Sequence, residues 1–189
     1  MIKSHRHFMV HKPWGMISQF VNPAKRKKTL LGDLYGFPEG TMAIGRLDVP
    51  SEGLLLLTTD GKVSAEIRSN AYEKEYYVQV DGIMTAAALE NLKTGVEIGF
   101  KGTKYVTKPG KAMLLKDPRF PLRSQKIRDE RHGPTSWISI IIKEGKFRQV
   151  RKMTAAVGFP TLRLVRVRIG TMKLGELAIG AVVEVEKFT

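Results

Sequence analysis

GRLDVPSEGLLLLTTDG, Gly45 to Gly61, decides the reading of this chain. Leu54 to Thr58 is short and apolar, which suits a strand buried on both faces. Ahead of it, Pro50 and the bounding glycines Gly45 and Gly53 make GRLDVPSEG a loop. TMAIG, Thr41 to Gly45, reads as a strand, so the loop joins two strands. Downstream, Thr59 or Asp60 offers the cap of a helix running to about Ser69.

The flanking chain continues in the same style. HFMVHKP, His7 to Pro13, reads as a strand stopped by Pro13, which has no ladder donor. MISQFV, Met16 to Val21, reads as a second strand, Asn22 to Lys28 as an exposed basic loop, and Gly32 to Gly40 as a turn region with room for a short helix. KEYYVQV, Lys74 to Val80, is aromatic and β-branched, hence strand. Thr85 caps a helix through Leu92, and short strands are expected between Gly95 and Lys116. Residues 117–135 hold Pro118, Pro121 and Pro134 among many charges and read as a long surface loop, followed by the strand WISIIIK, Trp137 to Lys143. KFRQVRKMTAAV, Lys146 to Val157, reads as a helix with Phe147, Val150, Met153 and Val157 on one face and Arg148, Arg151 and Lys152 on another, stopped by Gly158. TLRLVRVRI, Thr161 to Ile169, alternates apolar and basic residues with a phase change at Leu164–Val165, where a bulge is expected. Ala181 to Glu186 is the last strand. Many strands, few scattered helices and no strict βαβ alternation predict an α+β fold: a mixed, largely antiparallel central sheet with flanking helices.

Composition narrows the function. The 189 residues are 42% hydrophobic and 26% charged, a globular balance on about 1.3 domain lengths. There is no cysteine, which excludes disulfides, thiolate nucleophiles, Cys-ligated zinc and iron–sulfur clusters. No apolar run exceeds four residues, against the ~20 of a membrane span, and Lys3 and Arg6 are followed by no signal-like segment, so the cytoplasm is expected. The 32 Lys and Arg outweigh 18 acids, a formal charge of +14, as in chains that meet a polyanion. Solubility charge is the plainer explanation, but the cations cluster. Residues 101–132 hold ten Lys or Arg against three acids, and residues 143–168 hold eight against one. The second cluster combines the 146–157 helix face with a strand face, a folded basic surface suited to a nucleic-acid backbone.

Candidate chemistry is sparse. Asp48, two residues after Arg46 in the glycine-bounded loop, is placed to act as nucleophile or general base, or simply to form an Asx-turn. Arg148, Arg151 and Lys152 are candidates for phosphate contact or for the counter-ion of a buried acid, or form a solvated helix face. Of Tyr76 and Tyr77 only one can line a given pocket, because neighbouring strand residues point to opposite faces. It would stack on a base or pack in the core. His5, His7 and His11 lack a nearby acidic partner for a metal site, and no phosphate-loop, dinucleotide or hydrolase-elbow motif is present.

GRLDVPSEGLLLLTTDG, KEYYVQV, EGKFRQVRKM (Glu144 to Met153), the opening VHKPWGMISQF and VGFPTLRLVRVRIG occur together and in order. In this the chain resembles the RsuA-type bacterial ribosomal RNA pseudouridine synthases. YYVQV, PTSW (Pro134 to Trp137) and VGFPTLRL most resemble the synthase E branch, whose target is large-subunit ribosomal RNA. Val49-Pro50-Ser51 stands where the family usually has charged or polar residues before Thr or Ser, and Lys146-Phe147 where it usually has Arg-Asn. The resemblance implies one catalytic domain over residues 1–189, with two subdomains on one sheet as a variant, and without the S4 domain common in the family. It implies isomerisation of uridine to pseudouridine in large-subunit ribosomal RNA, with no cofactor and no metal. Asp48 is then the nucleophile, Tyr76 packs against the uracil, Arg151 pairs with Asp48, and Arg46 enters the stack vacated by the flipped base. Lys12, Arg148 and Lys152 join Arg46 as RNA contacts. A monomer without membrane attachment is expected, with large-subunit ribosomal RNA as its partner. The alternatives are a non-catalytic RNA-binding or ribosome-assembly module, resting on charge alone, and a nuclease, for which no metal cluster or His pair can be placed.

Overall fold

In the computed structural model, residues 4–22 and 28–188 are described. The basic stretch expected over Asn22–Lys28 lies, apart from its ends, outside the described residues. In chain order the elements are β1 (His7–Lys12), β2 (Met42–Ala43), β3 (Glu52–Thr58), α1 (Gly61–Arg68), β4 (Lys74–Asp81), α2 (Ala86–Thr94), β5 (Glu97–Phe100), β6 (Thr103–Val106), β7 (Lys111–Leu115), β8 (Thr135–Ile142), α3 (Gln149–Ala156), β9 (Thr161–Ile169), β10 (Met172–Lys173) and β11 (Val182–Val185). The chain divides into two compact units, Met1–Tyr72 with Arg166–Thr189, and Glu73–Val165.

In the first unit β1 runs antiparallel between β11 and β3. Phe8 faces Leu57 and Val10 faces Leu55 across the ladder. These four, with Met16 and Leu31, form a fully buried core. Phe37 closes it, its ring 5.3 Å from Phe8 and 5.5 Å from Phe20. All seven residues of β3 are buried, as the unbroken leucine run predicts for a strand covered on both faces. Asp60 caps α1, its Oδ1 accepting from the amides of Lys62 and Val63.

In the second unit β8 lies antiparallel between β4 and β7. Tyr76, Val78 and Val80 alternate into the core opposite Ile140, Ile138 and Ser136. The α+β class and the largely antiparallel pairing are as expected from sequence.

Three expectations need correction. MISQFV forms no strand: Met16 enters the core, and Ile17 and Leu31 donate to the carbonyls of Thr29 and Gln19 in an irregular pairing. The third helix begins at Gln149, not Lys146, because Arg148 takes a left-handed backbone with φ 53°. Phe147 therefore leaves the apolar face and stands 67% exposed. The strand half of the basic surface is largely absent, since Arg163 and Arg166 are buried. The strand runs unbroken through the expected phase change, with residues 163–166 all buried. A strand covered on both faces has no solvent face for its cations.

Candidate active site

The loop carrying Asp48 is fastened at several points within the first unit. Leu47 is buried and anchors it between the exposed Arg46 and the half-buried Asp48. Ser18 clamps Leu47 from both sides: its Oγ donates to the Leu47 carbonyl at 2.8 Å and accepts the Leu47 amide at 3.0 Å. The Ser51 amide closes a turn on the Asp48 carbonyl at 2.9 Å, for which Asp is a favoured first residue. The Gly15 amide donates to the Val49 carbonyl at 2.9 Å.

Lys12 completes the fastening. It is fully buried at the end of β1, and its Nζ donates to the carbonyls of Ser51 at 2.7 Å, Pro13 at 2.9 Å and Val49 at 3.5 Å. Burial pushes its pKa down to about 7, against the pull of the Glu52 and Asp48 carboxylates, while Arg166 adds to the depression. An ammonium that spends its donors on the loop's carbonyls has no surface to offer a phosphate. Lys12 was expected among the RNA contacts, and the structure gives it the position of a bolt behind the loop.

Gly53 follows the loop with φ +105°. A Cβ there would lie 2.3 Å from the carbonyl oxygen of Arg166 and 2.7 Å from its amide nitrogen. Arg166 also donates from Nε to the Leu54 carbonyl at 2.8 Å. The loop thus enters the most buried strand of the unit under close backbone contact.

The other expected residues belong to the second unit. Tyr76 is buried on β4. Tyr77, on the opposite face, has its ring 6.0 Å from Phe120, which in turn lies 5.7 Å from Trp137 and 5.5 Å from the Arg163 guanidinium. Arg151 and Lys152 sit in the first turn of α3, behind Val150 and Met153, which are buried. Arg148 stands at its cap and is exposed.

A buried acid that sequence reading passed over organises this end of α3. Glu144 accepts from the Tyr105 hydroxyl, from the Lys108 amide at 2.9 Å and from Gln149 Nε2 at 2.8 Å. Desolvation works against its charge, yet these donors and the nearby Lys146 hold its pKa below the usual carboxylate value. Gln149 Oε1 in turn accepts the Lys146 amide at 3.0 Å. The available signal was that Glu144 is the sole acid among the cations of 143–168. Ser18 carried no comparable signal.

Among the described residues no group of three or more His, Asp or Glu is placed to hold a metal, and no helix is long and apolar enough to cross a membrane.

Known proteins resemble this chain in sequence and in fold. The chain is 42% identical over 172 residues to Ribosomal large subunit pseudouridine synthase E of Vibrio vulnificus, covering 90% of this chain and 70% of that one. It is 41% identical over 174 residues to the protein of the same name from Xanthomonas axonopodis pv. citri, covering 90% and 88%. A solved structure described as a pseudouridylate synthase superposes with a TM-score of 0.77 at 28% identity, over 97% of this chain and 71% of that one. Residues 6–156, which include the Asp48 loop, β4 and α3, match the family described as RNA pseudouridylate synthase. By sequence, by fold and by the span of that match, this chain is an enzyme of the RNA pseudouridylate synthase family.

Proposed function

We propose that the chain converts a uridine of large-subunit ribosomal RNA to pseudouridine, with Asp48 as the nucleophile. The observation that carries the reading is the way Lys12, Gly15 and Ser18 hold the Asp48 loop, because a group that must meet a reacting carbon needs a preorganised backbone. The names of the relatives supply the substrate class. The reaction is an isomerisation. The bond from C1′ to N1 breaks, the uracil turns, and C1′ joins C5; C5 gives up its proton and N1 gains one. Asp48 acts at the sugar while the base is detached. Tyr76 packs against the uracil, and Arg151 supplies the positive charge that partners the nucleophile. The uridine is flipped from its stack at a cost of a few kcal/mol. Arg46, exposed at the loop's start, fills the gap, and Arg148 and Lys152 hold phosphates. The enzyme works as a monomer in the cytoplasm.

The test is Asp48→Asn. Pseudouridine formation on ribosomal RNA, read by carbodiimide primer-extension stops, is expected to vanish while RNA affinity persists. Full product from the variant would remove Asp48 from the chemistry. A non-catalytic RNA-binding module would show no product from the wild-type chain and no effect of this substitution.

A further inference from the structure

We propose that the β5–β6 hairpin and the approach to α3 form a docking surface for an unpaired stretch of the RNA, with a base stacked on Phe147 and phosphates held by Lys101, Lys108 and Lys146. The proposal rests on the reading of RNA as substrate and adds a site to it. Phe147 exposes 67% of its surface, with the ammonium of Lys152 5.5 Å from the ring centroid. The neighbouring Phe100 ring has Lys101 Nζ at 5.6 Å and Lys146 Nζ at 5.0 Å, and Lys146 lies 4.9 Å from Tyr105. Rings interleaved with cations are the chemistry that takes bases on their faces and phosphates at their edges.

Charge and backbone point the same way. Within 97–108 and 144–152 the acids are Glu97, ion-paired with Lys104 at 2.9 Å, and Glu144, buried and engaged by Tyr105, Lys108 and Gln149. With Glu97 paired to Lys104 and Glu144 buried, the remaining cations outnumber the acids and the surface stays positive. Lys101 also occupies the first position of a two-residue turn with φ 50°, followed by Gly102 at φ 78°, where Asn or Gly is preferred. Arg148, beside Phe147, is held at φ 53°. A side chain kept in left-handed backbone at an energetic cost is a reason to look for function. The surface is preformed, since Lys152 Nζ donates to the Gly99 carbonyl at 2.7 Å and Glu144 ties the Lys108 amide to the start of α3. An unpaired strand fits because paired bases have no free face to stack.

Fluorescence anisotropy with a short oligouridylate and a duplex RNA of equal length tests the surface. Phe147→Ala is expected to weaken oligouridylate binding about tenfold and to leave duplex binding and the salt slope unchanged. Phe147→Trp is expected to restore it. Lys101→Asn relieves the turn, so its thermal midpoint rises while oligouridylate affinity falls severalfold and the slope of log K against log salt shrinks by about 0.7. Undiminished oligouridylate binding by Phe147→Ala, equal loss on both RNAs, an unchanged salt slope in Lys101→Asn, or no wild-type binding to oligouridylate would each overturn the proposal. The enzymatic reading fails separately, through absence of wild-type pseudouridine formation on ribosomal RNA.

Discussion

Lys12 and Ser51 are joined by a 2.7 Å hydrogen bond from a fully buried ammonium to a backbone carbonyl three residues beyond Asp48. The same Nζ reaches the Val49 carbonyl. The position of the candidate nucleophile is therefore set from behind, by a cation on the neighbouring strand β1.

Lys12→Met keeps the length and apolar stem and removes the donors. It is expected to cost about 3 kcal/mol, since buried carbonyls lose their partner, and to lower turnover more than substrate affinity. The pH dependence has a definite sign. The folded state holds the Lys12 proton only to about pH 7, the unfolded chain to about 10.4, so between these values the unfolded state binds more protons. Unfolding free energy then rises with pH across that window for the wild type relative to Lys12→Met, and a constant difference between the two proteins would contradict it.

Ser18→Ala removes one hydroxyl that serves both the amide and the carbonyl of Leu47. A loss of about 1–3 kcal/mol is expected in urea unfolding, with a drop in single-turnover rate on ribosomal RNA. An unchanged rate would show that the Leu47 clamp is dispensable for Asp48.

The two glycines that bracket the Asp48 loop should answer differently to alanine. Gly53→Ala drives a Cβ into the Arg166 backbone at a φ that alanine resists, and failure to accumulate folded protein, or a loss above about 4 kcal/mol, is expected. Gly45, at φ +72°, has nothing within 4 Å of its Cβ position, so Gly45→Ala costs only the left-handed penalty of about 1 kcal/mol. Equal midpoints in thermal unfolding would refute the distinction.

Glu144→Ala leaves Tyr105, the Lys108 amide and Gln149 without their acceptor and is expected to cost about 2–4 kcal/mol near neutral pH. Because the folded carboxyl titrates below its ordinary value, its contribution is present above that value and lost as pH falls through the lowered one. The gap between wild type and variant should narrow in acid, as followed by circular dichroism.

The sequence patterns that carried most of the architecture were local. β1, β3, β4, β8 and the caps Asp60 and Thr85 lie within a residue or two of their expected places, because each rests on a short-range cue: a proline stop, an apolar run, a capping oxygen. Lys146–Arg148 misled for the converse reason. Their helical periodicity is real, but a bond between the Lys146 amide and the Gln149 side chain, with left-handed Arg148, delays the helix by one turn. Arg163 and Arg166 counted as surface charge because composition does not reveal which strand is covered twice. The loop around Asp48 was visible as a motif. Its fastening by Lys12 and Ser18 was not, since those bonds span 39 and 29 residues.

The complete burial of β3 restricts how this chain can change length. One residue added within it would swap Leu54 and Leu56 with Leu55 and Leu57 between the two sides of the sheet. Insertions and deletions near the reacting acid must then be absorbed upstream, around Gly36–Gly40, where side chains reach solvent and β2 spans only two residues. A designer wishing to graft a different turn onto this scaffold should keep the spacing from Asp48 to Leu54 fixed and take up any slack before Met42.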